Sequence, residues 1–151
     1  MSGVLYTVAT GERAMVRSPE TVLQIWADLD RRLRVWQWTV AFKGGNPHAS
    51  PVLVELLRPT GWIGDVTPAV PVHINSGDDE QTVSVGWWNL PTEPPGTTVI
   101  ESHEVHPQHG IVWTASCFEP DALIIPGNGY LSFRVSGGVG LSALVRVLFE
   151  D

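Results

Sequence analysis

The sequence predicts an all-β fold, an antiparallel β-sandwich formed by a single domain. Several segments alternate apolar and polar residues at a period of two, which is typical of half-buried strands. Only 17% of the residues are charged, while the chain contains 15 Gly and 12 Pro, a balance that favours turn-rich β proteins. The 151 residues fit one domain with one core, and the single cysteine, Cys117, excludes an intrachain disulfide.

The clearest strand signal lies in the closing segment, LSALVRVLFED. One of its faces is apolar and consists of Leu141, Ala143, Val145, Val147 and Phe149, whereas the other is mixed and consists of Ser142, Leu144, Arg146, Leu148 and Glu150. The preceding segment YLSFRVS, residues 130–136, alternates in the same way. Glycines at positions 137, 138 and 140 supply the freedom that a hairpin needs, so we expect these two strands to pair antiparallel.

Further strands are predicted in RLRVWQWTVAFKG, PVLVELLRP, QTVSVGWW, TTVIESHEVH and ALIIP. In the first of these segments, alternation places Trp36 and Trp38 on the same face, where they fill a core or a subunit interface. Residues 18–33 allow two interpretations. Ser18 and Pro19 resemble a helix start followed by helical spacing, but the same residues also fit a strand, a turn and a returning strand.

Segments rich in Gly, Pro, Asn and Asp separate the strands. The longest of them predicts an irregular loop around residues 60–79, with enough apolar content to pack or to meet a partner. Residues 1–19 are polar and contain Arg13 and Arg17, which favours an N-terminal arm that either straps a neighbouring subunit or frays. Residues 20–151 are then the domain.

The sequence contains no motif for catalysis, cofactors or metals. The histidines at 103, 106 and 109 lie on a predicted strand that Pro107 interrupts, so we do not expect them to converge on a metal. No Gly-x-Ser-x-Gly elbow or phosphate-binding loop is present, and we expect no enzyme. A net charge of −7 argues against nucleic-acid binding, and the absence of 18 consecutive apolar residues argues against a membrane span.

The candidate contact residues are tryptophans and arginines. The chain has seven Trp, and Trp62 and the adjacent Trp87 and Trp88 are candidates for partner or subunit contacts or, alternatively, for stacking on sugar rings. Arg31 and Arg32 belong to a short basic group that either contacts an acidic partner or forms a solvated turn. Arg13 and Arg17 of the arm complete the set.

Several phrases in order resemble a family of small tailed-phage virion proteins. These phrases are TVLQIWA, RLRVWQWTVAFKG, PVLVELLRPTG, VIESHEVHPQHG, LIIPGNGYLSFRV and ALVRVLFED, and they extend from about residue 21 to residue 151. The resemblance implies a β-sandwich of jelly-roll type that decorates the outer surface of a phage head, as a trimer bound to the major capsid protein. It also implies strand, turn and strand for residues 21–43, and it brings no catalytic or cofactor residues.

A decoration protein gains affinity by summing modest contacts over a symmetric lattice, so no single motif has to stand out. The alternative function is a tail or fibre module that binds host glycans through exposed Trp. A cell-wall hydrolase with two dispersed carboxylates is the third hypothesis, because such a pair leaves no local motif.

Overall fold

The apolar segments form β-strands in a computed structural model of the chain, which describes residues 4–11, 14–27, 32–44, 50–61, 67–69, 71–74, 84–88, 92–115 and 123–150. The strands in these ranges are β1 (Leu5–Ala9), β2 (Glu20–Ala27), β3 (Leu33–Lys43), β4 (Val52–Arg58), β5 (Thr67–Ala69), β6 (Val72–His73), β7 (Ser84–Trp88), β8 (Thr98–Val105), β9 (Ile111–Thr114), β10 (Leu123–Ile125), β11 (Tyr130–Ser136) and β12 (Ser142–Glu150). Within these ranges no helix has the length and apolar character needed to cross a membrane.

The strands form two antiparallel sheets, which confirms the predicted sandwich. Sheet A has the order β10, β3, β12, β1, β6, and β9 also pairs with β3. Sheet B has the order β5, β7, β2, β11, β4, β8. Both sheets place apolar side chains on one hydrophobic core, as two face-packed sheets must do. Trp38 of sheet A reaches Phe133 of sheet B, with ring centroids 5.6 Å apart.

The ambiguous segment at residues 18–33 contains a strand, β2, and the strand interpretation is therefore confirmed for residues 20–27. Its apolar pattern resembled a helix for two reasons. Phe133 pairs with Leu23 but Arg134 pairs with Thr21, so Val22 is the extra residue of a β-bulge. In addition, the strand is buried on both faces, and even Gln24 on the outer face of sheet B is fully buried. Alternation at period two is lost under these conditions.

A second bulge corrects the predicted face of Trp36. Leu148 pairs with Gln37 while Phe149 pairs with Val35, which leaves Trp36 as the extra residue of β3. The bulge reverses the alternation, so that Val35 and Trp38 both lie in the core. Trp36 instead is half-buried on the outer side of sheet A. The prediction that Trp36 and Trp38 share a face was wrong.

The predicted pairing of the last two strands was also wrong. β11 pairs with β2 and β4 in sheet B, whereas β12 pairs with β3 and β1 in sheet A. The glycine-rich connection therefore passes from one sheet to the other instead of closing a hairpin. Gly137 and Gly140 have φ angles of 82° and 89°, the left-handed region in which glycine is unstrained. Local alternation predicted both strands but contains no information on which sheet receives each one.

The predicted N-terminal arm, residues 1–19, contains a strand of the domain. Residues 5–9 form β1, which lies between β12 and β6 in sheet A. Tyr6, Val8 and Met15 are buried in the core. Because these side chains complete the core, the boundary at residue 20 does not separate an arm from the domain. The polar composition of the segment concealed its two buried strand positions.

The predicted long loop around residues 60–79 also contains two short strands. β5 pairs with β7 at the edge of sheet B, and β6 pairs with β1 at the edge of sheet A. Residues 62–66, 70 and 75–79 of the loop lie outside the described residues. The loop thus contributes one strand to each sheet.

Candidate interaction surface

Among the residues that the sequence nominated for contacts, the structure describes the side chains of Arg17 and Arg32. Arg13, Arg31 and Trp62 lie outside the described residues. Trp87 and Trp88 belong to β7, where they pair along the backbone with Gln24 and Leu23 of β2. Arg17 contacts Glu93 at 3.7 Å and is half-buried, and Arg32 is exposed just before β3.

Sheet A presents an outer face that is open to solvent. The closing strand β12 turns Ala143, Val145, Val147 and Phe149 into the core, so its alternate residues point outward. Cross-strand partners share a face, which extends the outer face to neighbouring strands. Three rows of cross-strand partners make up this face. The first row contains Val72, Thr7, Leu148, Gln37 and Thr114, the second contains Ala9, Arg146, Thr39 and Val112, and the third contains Leu144 and Ala41. We call this set, together with Arg34, Trp36, Lys43 and Glu150, the A face.

The A face exposes apolar side chains. Val112 is 64% exposed, Val72 is 59% exposed and Leu144 is 38% exposed. These three side chains stand on different strands, β9, β6 and β12, so apolar area is spread across the width of the sheet. Polar side chains lie between them, so the A face is a mixed surface and not a contiguous apolar patch.

Several polar side chains of the A face are held in place by their neighbours. The indole Nε1 of Trp36 donates to Glu150 Oε2 at 2.9 Å, and the Arg34 guanidinium lies 5.3 Å from the centroid of the Trp36 ring. On the next strands, Arg146 Nε donates to Thr7 Oγ1 at 3.1 Å. Side chains that are ordered before binding lose less conformational entropy when a partner docks. The A face is therefore a preorganised surface.

The outer face of sheet B differs because other parts of the chain cover it. Gln24, Leu57 and Ser132 point to this face and are fully buried. The side chain of Gln24 donates from Nε2 to the carbonyl oxygen of Gly61 at 2.8 Å. The segment that contains Glu93 contacts the same face, so in the described part of the chain the open sheet face is the A face.

Glu93 anchors this covering segment to β2. Its carboxylate accepts a hydrogen bond from the backbone N of Thr21 at 2.7 Å and a second one from the Thr21 hydroxyl. Arg17 lies beside the same carboxylate. Thr21 is only 1% exposed, so its backbone donor depends on Glu93 as its partner.

An aromatic and imidazole cluster connects β3 with β8 and β9. The Trp38 ring lies 5.8 Å from the His103 ring and 6.4 Å from the Trp113 ring, and His103 Nε2 lies 3.7 Å from Glu101 Oε2. The rings of His106 and His109 are 5.4 Å apart in the following turn. Across the described ranges, no group of three or more His, Cys, Asp or Glu is placed to hold a metal ion. The cluster extends from the buried ring of Trp38 to the half-buried rings of His103 and Trp113.

The described ionisable residues form structural contacts. Arg134 donates to Glu55 Oε1 from Nε at 3.2 Å and from Nη2 at 3.1 Å, on a largely buried part of sheet B. Burial raises the pKa of the Tyr130 hydroxyl above its ordinary value, because it disfavours the charged phenolate. The ion pair between Arg134 and Glu55 stabilises the sandwich.

The described Trp side chains are not free sugar platforms. Trp38 is fully buried, and Trp26, Trp36 and Trp113 are half-buried. Trp26 donates from Nε1 to Asn128 Oδ1 at 3.2 Å. The glycan alternative therefore finds no support in these four residues.

No family model, no curated protein and no solved structure matches this chain. The A face is thus the feature of the described chain best suited to a function, because it can bind a protein partner through area and preorganised polar groups. Sequence reasoning recorded the mixed face of the closing strand but did not rank it as a contact surface. Leu144 and Arg146 alternate with core residues along β12, and this alternation indicates an outward face that contains both apolar and basic side chains.

Proposed function

We propose that this chain is a non-enzymatic structural protein of a phage particle, a decoration protein that binds the major capsid protein on the outer surface of the head. The ordered resemblance to small tailed-phage virion proteins supports this role. The jelly-roll type of sandwich and the trimer that the resemblance implies are part of the same proposal. A rigid sandwich of this kind positions a contact surface without any need for chemistry.

The A face is the observation that carries the proposal. An open sheet face that carries ordered polar side chains and exposed valines suits a protein partner that binds through contact area and polar groups. In a decorated particle this partner is a protein, either the capsid or a neighbouring subunit. Repeated contacts over a symmetric lattice convert modest individual affinities into stable attachment.

Binding to undecorated capsids tests the proposal. Purified chain is mixed with capsids of the phage that encodes it, and bound protein is quantified after sedimentation over a range of concentrations. We expect saturable binding at a fixed ratio of chain to major capsid protein. Absence of binding at micromolar concentrations would contradict the proposal.

Two matched variants connect binding to the A face. Val112→Glu places a charge on the A face at a valine that is 64% exposed, whereas Val139→Glu places the same charge at a valine that is 61% exposed in the turn before β12. We expect Val112→Glu to weaken capsid binding at least about tenfold, which corresponds to about 1.4 kcal/mol. Val139→Glu should bind capsids like the wild type. An equal loss of capsid affinity in both variants would show that the A face is not the contact surface.

A further inference from the structure

Two arginines of the A face have no acidic partner in the described part of the chain. Arg34 and Arg146 are exposed, and no described carboxylate lies within salt-bridge distance of either side chain. Both side chains point outward because they alternate with core residues along β3 and β12. In a chain with 16 acidic and nine basic side chains, these two positive charges remain available to a partner.

Two arginines near sheet B differ, because acidic side chains of the chain itself contact them. Arg134 donates to Glu55 Oε1 from Nε at 3.2 Å and from Nη2 at 3.1 Å. Arg17 lies 3.7 Å from Glu93 Oε1. An adjacent carboxylate cancels much of the attraction that a guanidinium group exerts on a partner. The positive charge near sheet B is therefore neutralised within the chain, whereas the A face keeps its positive charge.

Neighbouring side chains hold both guanidinium groups of the A face in place. The Arg34 guanidinium lies 5.3 Å from the centroid of the Trp36 ring, and Arg146 Nε donates to Thr7 Oγ1 at 3.1 Å. These contacts use a ring face and one Nε–H group, so the Nη donors remain for a partner. A planar guanidinium fork matches a carboxylate and binds it through two parallel hydrogen bonds. Because both forks are already ordered, a partner loses less conformational entropy in docking on them.

The spacing of the two arginines follows from the strand register. Arg34 lies opposite Glu150, and Arg146 lies four residues before Glu150 on β12, so the two positions are about 13 Å apart at 3.3 Å per residue. Leu148 lies between them on the same face. Glu150 is the one described acidic side chain of the A face, and its Oε2 accepts a hydrogen bond from Trp36 Nε1 at 2.9 Å. The face thus presents two separated cations with an apolar side chain between them.

Protein carboxylates fit this face better than the phosphates of a nucleic acid. Duplex DNA carries one negative charge per about 1.7 Å of its axis, and proteins bind it through many clustered Lys and Arg side chains. Two arginines about 13 Å apart do not form such a cluster, and the net charge of −7 repels a polyanion. Val112, in the same cross-strand row as Arg146, is 64% exposed and adds apolar area that suits a protein partner.

We propose that the A face recognises an acidic protein surface, whose carboxylates pair with Arg34 and Arg146. That this surface belongs to the major capsid protein rests on the proposed function, whereas the choice of carboxylates rests on the two unpaired guanidinium groups. Complementary charge of this kind specifies the orientation of the partner and accelerates its association.

A short peptide tests carboxylate recognition without any capsid. The probe is a blocked peptide with glutamate at both ends and Thr-Val-Thr between them, which places two carboxylates four positions apart, about 13 Å in an extended chain. The control peptide has glutamine at both ends. NMR spectra of the labelled protein follow the backbone amides of β3 and β12 and the Nε–H groups of the arginines. We expect the glutamate peptide to shift the signals around Arg34 and Arg146 with millimolar affinity, and the glutamine peptide to leave them unchanged.

Matched charge removals test the same contact on capsids. Arg34→Gln and Arg146→Gln each remove one charge from the A face, whereas Arg58→Gln removes an exposed arginine at the end of β4 in sheet B. Circular dichroism confirms that each variant is folded. We expect each A-face variant to raise the dissociation constant for capsids at least about tenfold, and Arg58→Gln to bind like the wild type. High salt should weaken wild-type binding more than binding of the double variant, because the Debye length falls to about 3 Å at 1 M.

Absence of signal shifts with the glutamate peptide, or equal shifts with both peptides, would overturn the inference, because the arginines would then not recognise carboxylates. Binding of duplex DNA that is tighter than that of the peptide and is lost in Arg146→Gln would also overturn it. The two proposals fail in different ways. A protein that binds the glutamate peptide but no capsids contradicts the proposed function and leaves the recognition of carboxylates intact. Capsid binding at wild-type affinity by the variant that lacks both arginines contradicts the inference alone.

Discussion

At the scale of single residues, aromatic side chains that join the two sheets dominate the core. Trp38 is fully buried, and its ring contacts those of Phe133, His103 and Trp113. Trp36 is only two positions away but lies on the outer side of sheet A, where it donates a hydrogen bond to Glu150. The bulge in β3 thus gives two neighbouring tryptophans different roles.

Alanine substitutions at the two tryptophans should separate these roles. We expect Trp38→Ala to lower the free energy of unfolding by about 3–5 kcal/mol, because it removes buried apolar area and leaves a cavity between the sheets. Trp36→Ala should cost about 1 kcal/mol, since it removes one hydrogen bond and a half-buried ring. Urea unfolding monitored by circular dichroism measures both. Equal losses of stability in the two variants would contradict the bulge at Trp36.

The carboxylate of Glu93 provides a second test at this scale. Glu93→Ala leaves the buried backbone N of Thr21 without its acceptor, and we expect a loss of about 1–3 kcal/mol. Glu93→Gln keeps a side-chain oxygen that can accept this bond, so its loss should be smaller. The ion pair with Arg17 is half-exposed and adds little. The same chemical denaturation compares the two variants, and a larger loss in Glu93→Gln would contradict the assignment.

At the scale of elements, the connections between strands are as specific as the strands. Gly110 lies between β8 and β9 with a φ angle of 63°, and a Cβ at this position would lie 2.6 Å from the backbone oxygen of Val40. Gly137 between β11 and β12 also has a positive φ, but a Cβ there would have no heavy atom within 4 Å. The first glycine thus permits a close approach of two chain segments, and the second permits only a turn.

Alanine at these two glycines should have unequal effects. Gly137→Ala should lower the free energy of unfolding by about 1–2 kcal/mol, because a residue with a Cβ is strained in the left-handed conformation. Gly110→Ala adds a clash with the backbone of β3, so we expect a loss clearly above that of Gly137→Ala and a shift of β9 away from β3. Thermal unfolding provides the ranking. A Gly110→Ala protein as stable as Gly137→Ala would contradict the close packing of this turn.

Strands could be predicted from the sequence wherever one face is buried and no bulge intervenes. β12 shows strict alternation, and its core residues were predicted correctly. Alternation failed in β2, which is buried on both faces, and in β3, where an extra residue exchanges the faces. It failed again for β1, because a five-residue strand with two buried side chains resembles a polar arm. A bulge, or the burial of a strand on both faces, depends on residues that are distant in the sequence. The alternation of apolar and polar residues within one segment therefore cannot indicate either of them.

At the scale of the whole molecule, the fold class followed from composition and periodicity, whereas sheet membership did not. Chain segments that are adjacent in sequence, such as β11 and β12, enter different sheets. The A face emerges only when five strands are aligned, since Val72, Val112 and Leu144 come from distant parts of the chain. For the same reason, isolated arginines and tryptophans in the sequence do not indicate this face.

The central claim is that the sandwich acts as a structural part of a phage head and binds its outer surface through protein contacts. Electron cryo-microscopy of capsids incubated with the chain tests this claim most directly. We predict density for three sandwiches around each symmetric lattice position on the exterior, with the A face of each copy covered by protein. Reconstructions identical to those of capsids without the chain, or density in which every A face remains open to solvent, would contradict it.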